Sequence, residues 1–176
     1  MIGDSDLYIG PGDPGSGNVI TETRPASVFH AVEVDYPAEV FIKQGTTESV
    51  KIEAEDNLMP NLRTEVKNGT LNIFYKKTDD KHINPTETVT ITITVKDLDE
   101  VTFSSAGELT ITDLKTNGLD VALNGAGNLE LKNINIKNLS VNLSGAGSMT
   151  ASGTTDDLDV NISGFGDFKG SDLHGK

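Results

Sequence analysis

Residues 119–138 read "LDVALNGAGNLELKNINIKN", residues 139–157 read "LSVNLSGAGSMTASGTTDD", and residues 158–176 read "LDVNISGFGDFKGSDLHGK". One phrase is written three times, at a period of about twenty residues, with Gly-x-Gly at the middle of each copy. Aligning on that phrase puts Ala106, Ala126, Ala146 and Phe165 in one column, at spacings of 20, 20 and 19 residues. Neighbouring columns are chemically uniform. Val101, Val121, Val141 and Val160 form one, Phe103, Leu123, Leu143 and Ile162 a second, and Leu109, Leu129, Met149 and Phe168 a third.

A unit this short cannot bury its own apolar face, so repetition at such a period predicts stacking of each copy on the next. The apolar residues alternate with polar ones and no helical periodicity intervenes, so each copy reads as short strands and turns. The expectation is an all-β fold: a single-stranded parallel β-helix, a right-handed, pectin-lyase-like solenoid with rungs of about twenty residues. On this reading Gly125/Gly127, Gly145/Gly147 and Gly164/Gly166 are corner residues. They supply positive φ and close rung-to-rung approach, and Ala126 and Ala146 are small enough for the bend. Asn124, Ser144 and Ser163 precede the corners, where their side chains can bond neighbouring backbone.

Upstream the period-two pattern continues through "VEV" at 32–34, "VFI" at 40–42, "VKIEA" at 50–54, "LNIFY" at 71–75 and "VTITITV" at 89–95. Turn signals separate these strands at Tyr36-Pro37, Gln44-Gly45 and Asn68-Gly69. Only "EDNLMPNL", residues 55–62, suggests a helical turn. Residues 10–18, "GPGDPGSGN", have the composition of a spacer, so a flexible N-terminal linker is expected over 1–18 and one β-helix domain over 19–176.

Composition narrows the function. The chain has 176 residues and a formal net charge of −13, which opposes binding to nucleic-acid phosphates. No apolar run approaches the length of a membrane span, and "MIGDSDLYIGPGDPGSGN" lacks the regions of a signal peptide, so a mature or trimmed form is expected. The absence of Cys removes disulfides, thiolate zinc sites and cysteine nucleophiles.

The glycines do not read as a phosphate loop, because no helix follows them. Nor do they read as the calcium-binding nonapeptide repeat, because the period is about twenty and the residue after the phrase varies from Glu108 to Asn128, Ser148 and Asp167. Two acidic groups remain. Glu100, Asp120 and Asp159 form a column interrupted by Ser140, and Asp79, Asp80 and His82 lie in "KKTDDKHINPTE". Both read as solvated surface, with a weak cation site at the column as a residual idea. His30, His82 and His174 have no ligand-pair spacing, and Ser104, Ser105, Ser144 and Ser163 read as turn residues without a His or Asp partner. Phe103, Phe165 and Phe168 fall in repeat columns that core packing explains. No catalytic, cofactor or metal residues are assigned.

The order and spacing of "FHAVEVDYPAEVFIKQG", "VKIEAEDNLMPNLRTEVKNGTLNI", "ITVKDLDEVTFSSAGEL" and the repeated "NGAGNL", "SGAGSM" and "SGFGDF" resemble the bacterial auto-transporter adhesin head domains, also called GIN domains, over about residues 24–170. Phe165 departs from the pattern, which places a small residue there. The resemblance implies a parallel β-helix on the bacterial cell surface or in the envelope, with a role in adhesion and no established catalytic residues. The first expectation is therefore a non-catalytic surface or envelope module, outer-surface or periplasmic, that binds a glycan or protein of host or matrix. The alternatives are a carbohydrate-active β-helix enzyme, a polysaccharide lyase or hydrolase, and an envelope scaffold or sensing protein. The expected ligand face consists of Glu108, Asn128, Ser148 and Asp167 just past the corners and Thr110, Glu130, Thr150 and Lys169 two positions on. A strand edge left unpaired at the C-terminal end is also a template for a homo-oligomer.

Overall fold

The computed structural model describes residues 13–76 and 83–174. Residues 1–12 of the expected linker, and the loop residues Asp79, Asp80 and His82, lie outside them. A short β1 (Asp13–Pro14) leads into β2 (Val19–Arg24), β3 (Ala31–Asp35), β4 (Ala38–Gln44) and β5 (Ser49–Glu55). A single 3-10 turn at Met59–Asn61, inside the stretch that suggested a helical turn, precedes β6 (Leu62–Lys67), β7 (Thr70–Tyr75), β8 (Ile83–Asn84) and β9 (Thr90–Val95). The remaining strands are β10 (Glu100–Phe103), β11 (Gly107–Thr112), β12 (Lys115–Leu123), β13 (Asn128–Leu143), β14 (Ser148–Ile162) and β15 (Asp167–His174).

The columns read from the sequence are register partners in the sheet. Val101 lies beside Val121, Val121 beside Val141, and Val141 beside Val160. Leu109, Leu129, Met149 and Phe168 are aligned in the same way across β11, β13, β14 and β15. Parallel neighbours need a long return path, and a repeat of about twenty residues provides it. The inward members form one core that also takes in Val50, Ile52, Leu62 and Leu71 from strands outside the repeat.

The expected parallel β-helix solenoid is nevertheless not the architecture. Apart from β1 and β8, which pair in a two-stranded sheet, the strands join into one mixed sheet, ordered β2-β5-β9-β4-β11-β13-β12-β10-β3-β7-β6, with β14 beside β13 and β15 beside β14. These eleven ordered strands form a nearly closed, barrel-like sheet. Its middle is parallel, but β2–β5, β5–β9 and β6–β7 are antiparallel. The physical reason is that a repeat dictates which residues lie side by side on adjacent strands. It does not dictate how far a twisted sheet of this width curls, or which strands finish its edges. Antiparallel strands finish both edges, β2 and β5 at one and, at the other, the β6–β7 hairpin turning at Asn68-Gly69, where both residues have positive φ.

The corners differ from expectation too. None of the glycines at 125, 127, 145, 147, 164 and 166 is among the positive-φ residues, which instead include Asp113 and Asn133 at the bend between β11 and β12 and at its counterpart within β13. The repeated glycines are required for close approach. A Cβ on Gly125 would stand 2.5 Å from the Ser105 carbonyl oxygen of the adjacent pass. Ala126 and Ala146 are exposed, so their size is not limiting. Phe165 in the same column is 93% exposed, which corrects its assignment to the core, whereas Phe103 is fully buried and Phe168 packs against the core. The shortening of the last repeat also has a location. Leu131 pairs with Ala151 but Ile134 pairs with Gly153, so one residue is lost at the Asn133 corner.

Candidate functional site

β9, β4, β11, β13, β14 and β15 lie side by side, and their outward residues form continuous rows. One row runs Thr90, Glu39, Glu108, Asn128, Ser148, Asp167. The next runs Thr92, Phe41, Thr110, Glu130, Thr150, Lys169. All eight residues expected on the ligand face are thus brought together, at the strand spacing of about 4.8 Å. A shallow groove of about 280 Å³ follows Glu108, Thr110, Asn128, Glu130, Ser148 and Thr150.

Alternation produces this face. Leu109, Ile111, Leu129 and Leu131 turn inward and are fully buried or nearly so, which leaves the residues between them on the outside. Contacts limit side-chain freedom on this face: the Ser148 hydroxyl donates to Asn128 Oδ1 at 2.8 Å along the first row, and Lys132 Nζ, two residues further along β13, lies 3.9 Å from Glu130 Oε1. Further ladders reinforce the corners. Ser144 Oγ donates to Asn124 Oδ1 at 2.8 Å, Asn124 Nδ2 to Ser104 Oγ at 3.4 Å, and Asn133 Nδ2 to Asp113 Oδ1 at 2.7 Å. Asn124 and Ser144 therefore bond along a side-chain ladder, while at the Asn133 corner the Ser152 hydroxyl accepts from the Asn133 backbone N–H at 3.3 Å.

The repeat could not reveal Glu39, Phe41, Thr90 and Thr92, because β4 and β9 lie outside it. Phe41 is 42% exposed in the middle of an otherwise polar face. Its signal was present in "VFI", since turning Val40 and Ile42 inward forces Phe41 out.

A second groove, of about 610 Å³, runs over the other side of the parallel region. Glu100, Asp120, Ser140 and Asp159 stand in register along it, and Asp99 and Asp157 add further carboxylates. His30 Nδ1 is 3.0 Å from Asp99 Oδ1 at the margin. Among the described residues no group of three His, Asp or Glu side chains is placed to hold a metal ion. His174 ends β15, exposed and remote in register from Glu100 and Asp120.

Among the described residues one charged side chain is fully buried. Glu55, at the end of β5, accepts from Gly17 N (2.6 Å), Thr86 N (2.7 Å), Thr86 Oγ1 (2.6 Å) and Glu87 N (3.2 Å). Burial pushes its carboxyl up, but the Thr86 hydroxyl and the N–H groups of Gly17, Glu87 and Thr86 outweigh this and hold it below the ordinary glutamate value. Asp56 accepts from Ser16 Oγ and Asn18 Nδ2, so the two carboxylates together fasten residues 16–18 to the sheet.

The family model described as "Putative auto-transporter adhesin, head GIN domain" matches residues 28–176. A crystal structure of a "putative adhesin" from Bacteroides fragilis superposes with a TM-score of 0.85 at 23% identity, covering 93% of this chain and 76% of that one. A "putative lipid binding protein" from Parabacteroides distasonis gives 0.73 at 24% identity, covering 92% and 77%. A "putative cell adhesion protein" from Clostridium sporogenes gives 0.57 at 15% identity, covering 90% and 100%. At these identities the likeness is one of fold. No curated protein matches the chain. No helix among the described residues is long and apolar enough to cross a membrane.

Proposed function

Since the chain belongs to the auto-transporter adhesin head GIN domain family, we propose that it is a non-catalytic adhesive module of the bacterial cell surface or envelope, and that it holds an extended glycan or peptide across the outward rows of β9, β4, β11, β13, β14 and β15. The observation that carries this reading is the register itself. Six strands present hydroxyl, amide and carboxylate groups at one spacing, on a wall whose side chains already hold one another in place. A polymer laid across the strands meets a similar set of partners at each step. Several weak sites on one rigid support combine through effective concentration.

Phe41 is the natural anchor. An exposed ring flanked by Thr92 and Thr110 offers an apolar face against which a sugar ring or an apolar side chain can stack, with hydroxyls on both sides to orient it. The acidic groove supports a catalytic reading less well. Its carboxylates lie along one open surface, whereas glycoside hydrolysis uses two carboxyl groups on opposite sides of a scissile bond.

Arrays of immobilised glycans and matrix proteins test the reading. Phe41→Ala is expected to lower binding of any hit by more than tenfold, while Thr110→Ala, Glu130→Ala and Thr150→Ala each lower it by a few-fold at most. Turnover of a glycan by the wild-type chain, abolished by Asp120→Asn or Asp159→Asn alone, overturns it in favour of a carbohydrate-active enzyme.

A further inference from the structure

The outward face of the parallel region carries its two signs of charge in separate rows. The first row, continued onto β5, holds Glu53, Glu39, Glu108 and Asp167 and no cation. A third row, four residues further along β4, runs Ser49, Thr94, Lys43, Thr112, Lys132 and holds no carboxylate. Between them, the row of Lys51, Phe41 and Glu130 is mixed. In a chain with 27 Asp and Glu against 14 Lys and Arg, a row of carboxylates is unsurprising, but a row of ammonium groups free of carboxylates runs against the composition.

On β4 the separation is complete within one strand. Glu39, Phe41 and Lys43 alternate with the buried Val40 and Ile42, so all three stand on the outside. Glu39 and Lys43 are about 13 Å apart along the strand, beyond the Debye length of about 8 Å at physiological salt, so neither neutralises the other. Among the described residues Glu39, Glu108 and Lys43 have no ion-pair partner, while Lys132 lies 3.9 Å from Glu130. Asp113, next along β11 after Thr112, is already engaged by Asn133 Nδ2 at 2.7 Å.

We propose, resting on the adhesive reading of this face, that its ligand is an extended polypeptide segment laid across the strands with cationic side chains along one edge and carboxylates along the other. Successive side chains of an extended chain point to opposite sides. A segment that alternates Lys or Arg with Glu or Asp therefore sets its cations over the glutamate row and its anions over the lysine row. Its backbone then follows the middle row, where the hydroxyls of Thr92, Thr110 and Thr150 can donate to its carbonyls and accept from its N–H groups. Phe41, between two of these threonines, packs against an aromatic side chain set among the charges. A glycan fits the outer rows less well. A sugar ring carries its charged substituents close against itself, whereas Lys and Arg reach out on long methylene stems.

Tryptophan fluorescence tests the proposal, because the chain contains no Trp and a single Trp in a peptide reports its own burial. Three short peptides with one central Trp are compared: Lys alternating with Glu, the same residues sorted into a Lys block and a Glu block, and Lys alone. The alternating peptide is expected to bind about tenfold or more tighter than the block peptide, and to weaken with sodium chloride. Lys43→Glu is expected to weaken the alternating peptide by about tenfold while tightening the all-Lys peptide, and Glu108→Lys to weaken both. Unchanged thermal melts of these two variants separate loss of binding from loss of folding. An alternating peptide that binds no better than the block peptide, or that Lys43→Glu tightens, reduces the face to net-charge attraction and overturns the proposal. Phe41-dependent binding of a glycan that is indifferent to Lys43→Glu and Glu108→Lys, with no capture of the alternating peptide, overturns the peptide ligand while the adhesive face stands. Absence of any Phe41-dependent ligand, peptide or glycan, overturns both.

Discussion

At the scale of single residues, the alternation along β12 and β13 assigns each side chain either to the core or to water. Leu123 is fully buried and Leu143 nearly so, while Asp120 between the same strands is exposed. Leu123→Ala or Leu143→Ala is expected to cost about 2–5 kcal/mol, the transfer term plus the cavity left in a core that collapses only in part. Asp120→Ala is expected to change stability by less than about 0.5 kcal/mol. Chemical denaturation measures all three, and equal losses at Leu123 and Asp120 would contradict the register. This inward and outward assignment was legible in the sequence, because a period of two is a property of the strand backbone itself. The exposure of Phe165 was not. Its column held three alanines, Ala106, Ala126 and Ala146, which are equally compatible with a bend too tight for more and with a bend open to solvent.

At the scale of the element, the glycines of the repeated phrase serve to let one pass lie against the next. On Gly125 a Cβ would meet the Ser105 carbonyl oxygen at 2.5 Å and the Ser105 nitrogen at 2.8 Å, both backbone atoms that cannot swing aside. Gly118, in the middle of β12, has nothing nearer than the Asn138 oxygen at 3.9 Å. Gly125→Ala is thus expected to destabilise by about 1–3 kcal/mol, as overpacking does. Gly118→Ala is expected to be neutral or to stabilise by up to about 1 kcal/mol, by restricting the unfolded chain. Thermal melts of the pair distinguish close approach from conformational freedom. If positive φ were the requirement at the phrase, both residues at 125 and 127 would lie in the left-handed region, and neither does. Asp113 and Asn133 do, and the short polar side chains of Asp and Asn tolerate that conformation.

At the scale of the whole molecule, Glu55 joins parts of the chain that are far apart in sequence: residue 17, the end of β5, and residues 86–87. Its carboxyl is held below its ordinary value, so the folded state binds the proton less readily than the unfolded chain does. The stability it contributes is fully present above the unfolded glutamate value of about 4.3 and is lost as pH falls through the lower folded value. Melting temperature is accordingly expected to fall on acidification below that point, with a smaller fall in Glu55→Gln. At neutral pH the same substitution is expected to cost about 1–3 kcal/mol, because an amide cannot accept from every donor that the carboxylate satisfies. A pH profile of Glu55→Gln that parallels the wild type would remove Glu55 from the account of acid lability.

The sequence by itself determined the all-β class, the inward and outward residues of the repeat, which columns stand side by side, and the eight polar positions that share one face. Each follows from local rules: alternation within a strand, and a fixed spacing between strands in parallel register. Tertiary structure alone decided that the sheet is mixed and nearly closed instead of a solenoid, that β4 and β9 extend the polar face and set Phe41 within it, and that Glu55 fastens the N-terminal segment. These depend on sheet curvature and on contacts between segments that share no repeat. The antiparallel β5 and β6 alternate like the parallel strands, and a strand's own pattern does not name the neighbour beside which it lies.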